Sequence, residues 1–374
     1  MPVTIKISTL YTGSQVLFDQ VVELDGKYVV SFAAAADYPA AGINYDFNGF
    51  SMAPAFIDLQ LYGASGKLFN NVQDLETLAA IHALNLLGGT TRYLVTIPTS
   101  SADTIYKAID IVREGLRLKL PGLLGLHLEG PFINAEKRGA HIEEFVRHPD
   151  EPEFEKIIAY GRGVVKMMTV APEFFTAAQL HSLLEAGVIV AAGHSNASYE
   201  QANTGFNQGI KLATHLYNAM SPLGSREPGL TGAVLNHPDI HASIIADGVH
   251  CSFASLQLAY KMMGSRLFLI TDSVTASDQG PYTFFEAGDR YVTASGTLAG
   301  SALSMISAVK NCTLKCGIPM PDSLRMASTL PAAIMGLQHL GQITPGALAD
   351  LVIFDANVQI QGVFYEGAYL PRPE

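Results

Sequence analysis

Eight strand-like apolar runs, separated by loops and amphipathic helices, predict an α/β chain that closes into a (β/α)8 TIM-like barrel. β-rich stretches at both ends predict a small β-sandwich domain assembled from the two termini. Length agrees with this division. Of the 374 residues, a barrel of this kind uses roughly 250, which leaves enough for one satellite.

Val3 to about Phe47 reads VTIKIST, QVLFDQVVEL and KYVVSF, with a turn at Asp25 and Gly26. Short β-branched runs broken by turns, with no helical period, predict antiparallel strands. From Ala53 the rhythm changes, and APAFIDLQLY, TTRYLVTI, LLGLHLE, VKMMTV, VIVAAGH, KLATH, ASIIAD and LFLITD supply the eight barrel strands. Helical stretches lie between them. In the stretch from Ser101 to Leu118, Ile105, Ala108, Ile109, Val112 and Leu116 form one apolar stripe at helical spacing. After Gly341 the segment ALADLVIFDANVQIQGVFYEG returns to β character and is expected to pair with the amino-terminal strands. The expected division is residues 1–50 and 342–374 for the small β domain and 51–341 for the barrel.

A composition of 48% hydrophobic and 15% charged residues, with mean hydropathy +0.23, indicates a well-buried globular chain rather than a disordered one. Against 23 basic side chains stand 34 acidic ones, a net charge of −11, which argues against nucleic acid or an anionic membrane as partner. A single Arg or His can still hold the phosphate of a small substrate. The chain has three cysteines, Cys251, Cys312 and Cys316, and its first residues lack a cationic start followed by an apolar core. Both features predict a cytoplasmic protein. No apolar run approaches the roughly 20 residues that span a bilayer. Cys312 and Cys316 have no CxxC or histidine spacing beside them and read as plain buried thiols.

Four barrel runs end on a polar side chain: Glu129, His194, His215 and Asp272, on the third, fifth, sixth and eighth. Strand carboxyl ends form the active face of such barrels. Taken singly, each residue is readable as a satisfied polar group, but four at equivalent positions predict a metal-centred hydrolytic site. Glu129, His194 and His215 offer three ligands to one divalent ion, Zn²⁺ before Fe²⁺, Co²⁺ or Mn²⁺, and leave a position open for water. Metal binding lowers that water's pKa to about 7. Asp272 is the candidate to move its proton.

Other polar residues surround these four. His141 follows the third strand in a loop that begins GPFIN, Asn218, Ala219 and Arg226 lie in THLYNAMSPLGSREPGL after the sixth, and His250 lies in IIADGVHC after the seventh. Arg226 and His250 would suit a phosphate, although Arg226 beside Glu227 is equally readable as an exposed ion pair. His127, two residues before Glu129, faces the same side of its strand. It reads either as a partner of the site or as a core histidine.

Together HLEGPFIN, GHSNASYEQA, THLYNAMSPLGSREPGL, IIADGVHC, LITDS and GTLAGSALSM closely resemble the N-acetylglucosamine-6-phosphate deacetylases of the amidohydrolase superfamily, in order from the third strand onward. The tail GALADLVIFD resembles the return strand of the amidohydrolase small β domain. The resemblance implies hydrolysis of the acetamide of N-acetylglucosamine 6-phosphate to glucosamine 6-phosphate and acetate. It implies Glu129, His194 and His215 as ligands of one metal ion, Asp272 as general base and then acid, and His141 as the group that positions or polarises the carbonyl. Contacts to the phosphosugar are implied for Ala140, His141, Asn218, Ala219, Arg226 and His250, with backbone contacts from Leu298, Ala299 and Gly300. A homodimer is implied as well, in which the arginine reaches the partner's site.

Two segments depart from the pattern. Many amidohydrolases carry His-x-His at the end of the first strand, where it helps to bind a second metal, but here the residues are Gln60, Leu61 and Tyr62. A carboxamide and a phenol are poor substitutes for imidazoles, so one ion is expected. Family members with Gln-x-Asn match at Gln60 and not at Tyr62, which is left to pack at the pocket floor or to touch the substrate. The stretch SVTASDQGPYTFFEAGDRYVT after Asp272 also diverges. Two other readings stay open. One is the same reaction on a different substrate, such as N-acetylgalactosamine 6-phosphate, an epimer differing by one hydroxyl, or a cyclic amide; the other is a non-catalytic sugar-phosphate sensor.

Overall fold

The computed structural model describes residues 2–38, 42–149 and 152–372. They fall into two compact units, one comprising Met1–Asp58, Ala83–Arg92 and Ser304–Glu374, the other Leu59–His82 and Tyr93–Leu303.

In the first unit the chain ends share one seven-stranded sheet. Val3–Tyr11 pairs antiparallel with Val16–Asp25, which pairs with Tyr28–Ala34. Gly26, at φ 53°, supplies the left-handed residue that this tight turn requires. On its other side Val3–Tyr11 lies parallel to Tyr45–Pro54, and that strand takes up Leu351–Phe354, followed by Ile360–Tyr365 and Ala368–Pro371. Alternation sets the register, because a one-residue slip would turn the apolar set outward. Ile5, Ile7, Val22, Leu24, Met52, Leu351, Ile353 and Phe364 are accordingly buried in one core. The same unit holds an ionic node: Arg92 donates to Asp350 at 2.8 Å and to Glu366 at 3.0 Å, and its guanidinium lies 4.8 Å from the centroid of Tyr365.

The eight barrel strands form a second sheet in chain order: Phe56–Leu61, Thr90–Pro98, Leu123–Glu129, Val165–Val170, Ile189–Ala192, Leu212–Ala213, His241–Ile245 and Leu267–Ile270. Parallel strands covered on both faces need unbroken apolar runs, and every residue of the first and eighth is buried. The ring closes between those two. The Asp272 N–H donates to the Gln60 carbonyl at 3.0 Å and the Tyr62 N–H to the Ser273 carbonyl at 2.9 Å. The expected helix appears at Ala102–Arg117, capped by the Ser101 hydroxyl on the Thr104 N–H, with Ile105, Ala108, Ile109 and Val112 buried.

His127 lies inside the barrel as a structural tie. Its Nδ1–H donates to the Leu59 carbonyl at 3.2 Å, its Nε2 meets the Thr169 hydroxyl at 2.8 Å, and Thr169 meets Thr214 at 3.0 Å. Burial pushes its pKa down to about 4, so the ring is neutral. All three cysteines are buried thiols. Among the described residues no helix is long and apolar enough to cross a membrane.

Asp350 has a side chain only 2% exposed, and Arg92 is the cation paired with it. Arg92→Ala is therefore expected to destabilise the protein by about 3–5 kcal/mol, the cost of stranding one member of a buried pair. Arg92→Lys should recover only part of this, because one ammonium cannot serve two carboxylates and an aromatic face. Urea unfolding followed by circular dichroism measures both, and a loss below ~1 kcal/mol for the alanine variant is the result expected of an exposed pair instead.

Candidate metal centre and substrate cavity

Three strands deliver their polar residue in the same way. The fifth, sixth and eighth end at Ala192, Ala213 and Ile270, and two residues later His194, His215 and Asp272 turn into the left-handed region, at φ 48°, 35° and 54°. Side chains with a Cβ occupy that region at a cost, and such strain collects at functional sites. Tyr217 and Ala219, in the loop after His215, share it at 81° and 50°. Glu129 needs no such turn, because it is the last residue of its own strand.

The result is a convergence of donor atoms. Glu129 Oε1 lies 3.2 Å from His194 Nε2 and 3.0 Å from His215 Nε2, and the two nitrogens are 3.1 Å apart. His194 donates its Nδ1–H to the Lys137 carbonyl at 2.9 Å, which leaves a lone pair on Nε2. His215 Nδ1 is buried without a partner. One proton cannot satisfy three mutually facing acceptors, whereas a cation at their centre can. Ligands about 2.0–2.1 Å from a tetrahedral ion lie ~3.3 Å from each other, close to the separations observed. Burial would lower the His194 pKa, yet the Glu129 carboxylate beside it raises it above its ordinary value.

His141 adjoins the cluster and differs in kind. Glu129, His141 and His194 each bring one donor atom within 4.8 Å of the others, which makes an alternative triad. His141 Nε2, however, lies 3.0 Å from Glu129 Oε2, an acceptor, and so carries the ring proton, while Nδ1 accepts the Thr99 N–H at 3.2 Å and meets the Thr99 hydroxyl at 2.6 Å. A protonated nitrogen is not a ligand, and the geometry favours His215 as the third donor. Burial would raise the Glu129 carboxyl, but the neighbouring His194 and His141 hold it well below the usual carboxylate range.

Asp272 stands beside this cluster with Oδ1 bonded to Gln60 Nε2 at 2.7 Å. Burial and the Glu129 charge raise its pKa, which suits a group that must take and return a proton. Its Oδ2 lies 3.9 Å from His250 Nε2. His250 is itself anchored: its Nδ1–H donates to Asp247 Oδ2 at 2.6 Å, and Asp247 Oδ1 accepts the N–H groups of Val249 and His250, both at 2.9 Å. Burial would lower the His250 pKa, but Asp247 and Asp272 raise it, so the ring favours the cationic form.

These residues line a cavity of about 260 Å³, near the lower end of the range for small-ligand sites and suited to one monosaccharide. Tyr62, Glu129, Ala140, His141, His194, His215, Asn218, Ala219, His250, Asp272, Leu298, Ala299 and Gly300 all line it, and Gln60 lies buried behind Glu129. Leu298–Ser301 is a strand of a small antiparallel sheet. A Cβ on Gly300, at φ 146°, would come within 2.6 Å of Val274 and 3.0 Å of the Asp272 carbonyl oxygen, so the close approach requires glycine. Arg226 stands apart. It is exposed and not part of the cavity lining. Glu227 is engaged elsewhere, accepting the Tyr199 N–H at 2.8 Å and the Gly229 N–H at 2.9 Å, which disfavours a simple Arg226–Glu227 pair.

Residues 51–369 match the model of the amidohydrolase family. The chain belongs to that family. An N-acetylglucosamine-6-phosphate deacetylase of Haemophilus influenzae is 35% identical to it over 371 residues, covering 96% of this chain and 97% of that protein. An N-acetylgalactosamine-6-phosphate deacetylase of a Shewanella species is 34% identical over 356 residues, covering 93% and 89%. Among solved structures, N-acetylglucosamine-6-phosphate deacetylase from Pasteurella multocida superposes with a TM-score of 0.94 at 34% identity, over 99% of this chain and 100% of that one.

Several residues of this amidohydrolase cavity escape sequence reasoning. Leu68, Val274, Tyr282 and Phe284 pack with Tyr62 into an apolar wall. Tyr282 donates to the Thr99 carbonyl at 2.6 Å, and Asn71 holds its loop by donating to the carbonyls of Gln279 and Tyr282 at 2.5 and 2.6 Å. Val274, Tyr282 and Phe284 belong to the segment after Asp272 that diverges in sequence, where no motif announces a role. Asn70 accepts from the Ser100 hydroxyl at 2.7 Å and leaves its Nδ2 without a partner beside the cavity. Asp247 lies within IIADGVHC, but only the fold shows its carboxylate on the His250 ring.

The His141 assignment has a spectroscopic consequence. Burial and the charge of His194 push its pKa down to about 4, so ¹⁵N NMR is expected to show a neutral ring with the proton on Nε2 from pH 6 to 8. A proton on Nδ1, or titration near 6.5, would contradict the assignment.

Proposed function

We propose that the chain hydrolyses the acetamide of N-acetylglucosamine 6-phosphate, releasing acetate and glucosamine 6-phosphate. The observation that carries this reading is the meeting of Glu129 Oε1, His194 Nε2 and His215 Nε2 beside Asp272 in a cavity of monosaccharide size. The named relatives, which align over nearly the whole chain, support the choice of substrate.

Glu129, His194 and His215 would hold one divalent ion, Zn²⁺ as first choice and Fe²⁺, Co²⁺ or Mn²⁺ as alternatives, and such an ion activates water and polarises a carbonyl. Asp272 accepts the proton of the attacking water and returns it to the amine as the C–N bond breaks. Gln60 fixes one oxygen of Asp272, leaving the other to exchange the proton. His141 keeps its ring proton on the cavity side, where it is shared between Glu129 and the acetamide oxygen and offsets charge as it develops. Tyr62 and the apolar wall exclude bulk water. For the phosphate we assign His250, oriented by Asp247, with Ala140, Asn218 and Ala219 shaping that end and Leu298 to Gly300 lining the sugar. Arg226, exposed and away from its own cavity, fits the role of an arginine donated across a homodimer. The setting we infer is cytoplasmic.

A second reading, the galacto epimer, is favoured by one observation. The galactosamine-type relative is 34% identical, barely below the glucosamine-type one.

Asp272→Asn is expected to lower turnover by about 10²–10⁴-fold, the usual worth of a general base, with the metal content of wild type. Near-normal activity in that variant would remove Asp272 from the mechanism. Acetate release from the gluco and galacto phosphosugars and from unphosphorylated N-acetylglucosamine tests the substrate. Two charge-assisted contacts to phosphate at about 1.5–3 kcal/mol each predict at least ~100-fold lower kcat/KM without it. Equal use of the unphosphorylated sugar would remove Arg226 and His250 from phosphate binding, and phosphosugar binding without acetate release would mark a sensor.

A further inference from the structure

Tyr62 occupies the position at which the family pattern has a small amide or an imidazole, and the structure gives it a definite contact. Its hydroxyl lies 2.5 Å from Glu129 Oε2 and 2.8 Å from Gln60 Nε2. The carboxylate is acceptor-only, so the phenol donates to Oε2. His141 Nε2–H reaches the same oxygen at 3.0 Å, and the two donors together occupy the Oε2 lone pairs. On the other oxygen, Oε1 faces His194 and His215. Gln60 Nε2 bridges the two carboxylates, 2.8 Å from Glu129 Oε1 and 2.7 Å from Asp272 Oδ1. Two N–H bonds aimed at two buried carboxylates stand where a cation between them would otherwise sit.

The phenol is also held in place. Tyr62 is 7% exposed, and its ring packs against Leu68, Val274, Tyr282 and Phe284. Its N–H donates to the Ser273 carbonyl at 2.9 Å, and its own carbonyl accepts the Phe69 N–H at 2.8 Å. Packing on the ring and hydrogen bonds on the backbone thus both direct the hydroxyl to Glu129.

We propose that Tyr62 is a positioning residue that occupies the second oxygen of Glu129, so that the carboxylate offers only Oε1 to the metal, and that with Gln60 it closes the place of a second ion. This rests on the metal-site reading above. Neutral donors that orient a ligating carboxylate tune its affinity as surely as the ligands themselves, and their loss typically costs 10–100-fold. Tyr62→Phe keeps the ring and its packing and deletes only the hydroxyl, which leaves Oε2 held by His141 alone.

The test is cobalt loading of metal-free wild type and Tyr62→Phe, with chelator competition for the Kd and the visible absorption of bound Co²⁺ as a reporter of coordination number. Thermal melts of both metal-free proteins check that the variant is folded. The expected result is about tenfold weaker Co²⁺ binding and a changed visible band in Tyr62→Phe, as Glu129 loses a donor that orients it. A Kd and a band identical to wild type would overturn the proposal and reduce Tyr62 to packing. Failure of wild type itself to bind one Co²⁺ would instead overturn the metal-site reading, so the two failures are distinguishable.

Discussion

Three lone-pair donors held within 3.2 Å of one another repel unless positive charge lies between them, and this requirement organises the barrel mouth. Glu129 cannot be relieved by His141 or Tyr62 alone, because both address its other oxygen. His194 cannot turn its lone pair away, because its other nitrogen is committed to the Lys137 carbonyl. The nearby groups therefore follow the charge. Asp272 is pushed toward protonation by burial and by Glu129, and His250, although burial opposes it, is drawn toward its protonated form by Asp247 and Asp272. Asp272 and the His250 ring thus face one cavity as a loose pair, Oδ2 lying 3.9 Å from Nε2.

The backbone bears the cost of this arrangement. His194, His215 and Asp272 all leave their strands through left-handed φ values, which turns the side chains into the mouth at the expense of local strain. Gly300 lets its strand approach the Asp272 carbonyl at a distance that no Cβ would allow. Strain of this kind persists only where surrounding structure enforces it. Here the hydrogen bonds that close the barrel, from Asp272 to Gln60 and from Tyr62 to Ser273, hold the first and eighth strands on either side of the site.

Much of this was legible from residue order. Unbroken apolar runs identify strands buried on both faces, and a polar residue at the end of four of them points to the candidate site from sequence alone. Other features depend on contacts between distant segments and leave no local pattern. His127 is one example: spacing puts it on the same face as Glu129, but only the packed barrel shows its ring bonded to Leu59 and Thr169 rather than to the site. The apolar wall of Val274, Tyr282 and Phe284 is another, since its residues would be ordinary core in any other place. In sequence Tyr62 departs from the family pattern and reads as a pocket-floor or substrate contact, and the fold makes it a donor to the central carboxylate.

The most direct test of the account is anomalous diffraction from crystals grown with Zn²⁺. The account predicts one anomalous peak per chain, about 2.0–2.2 Å from Glu129 Oε1, His194 Nε2 and His215 Nε2, with His141 outside bonding distance. A peak bonded to His141 in place of His215, or a second peak between Glu129 and Asp272, would contradict it.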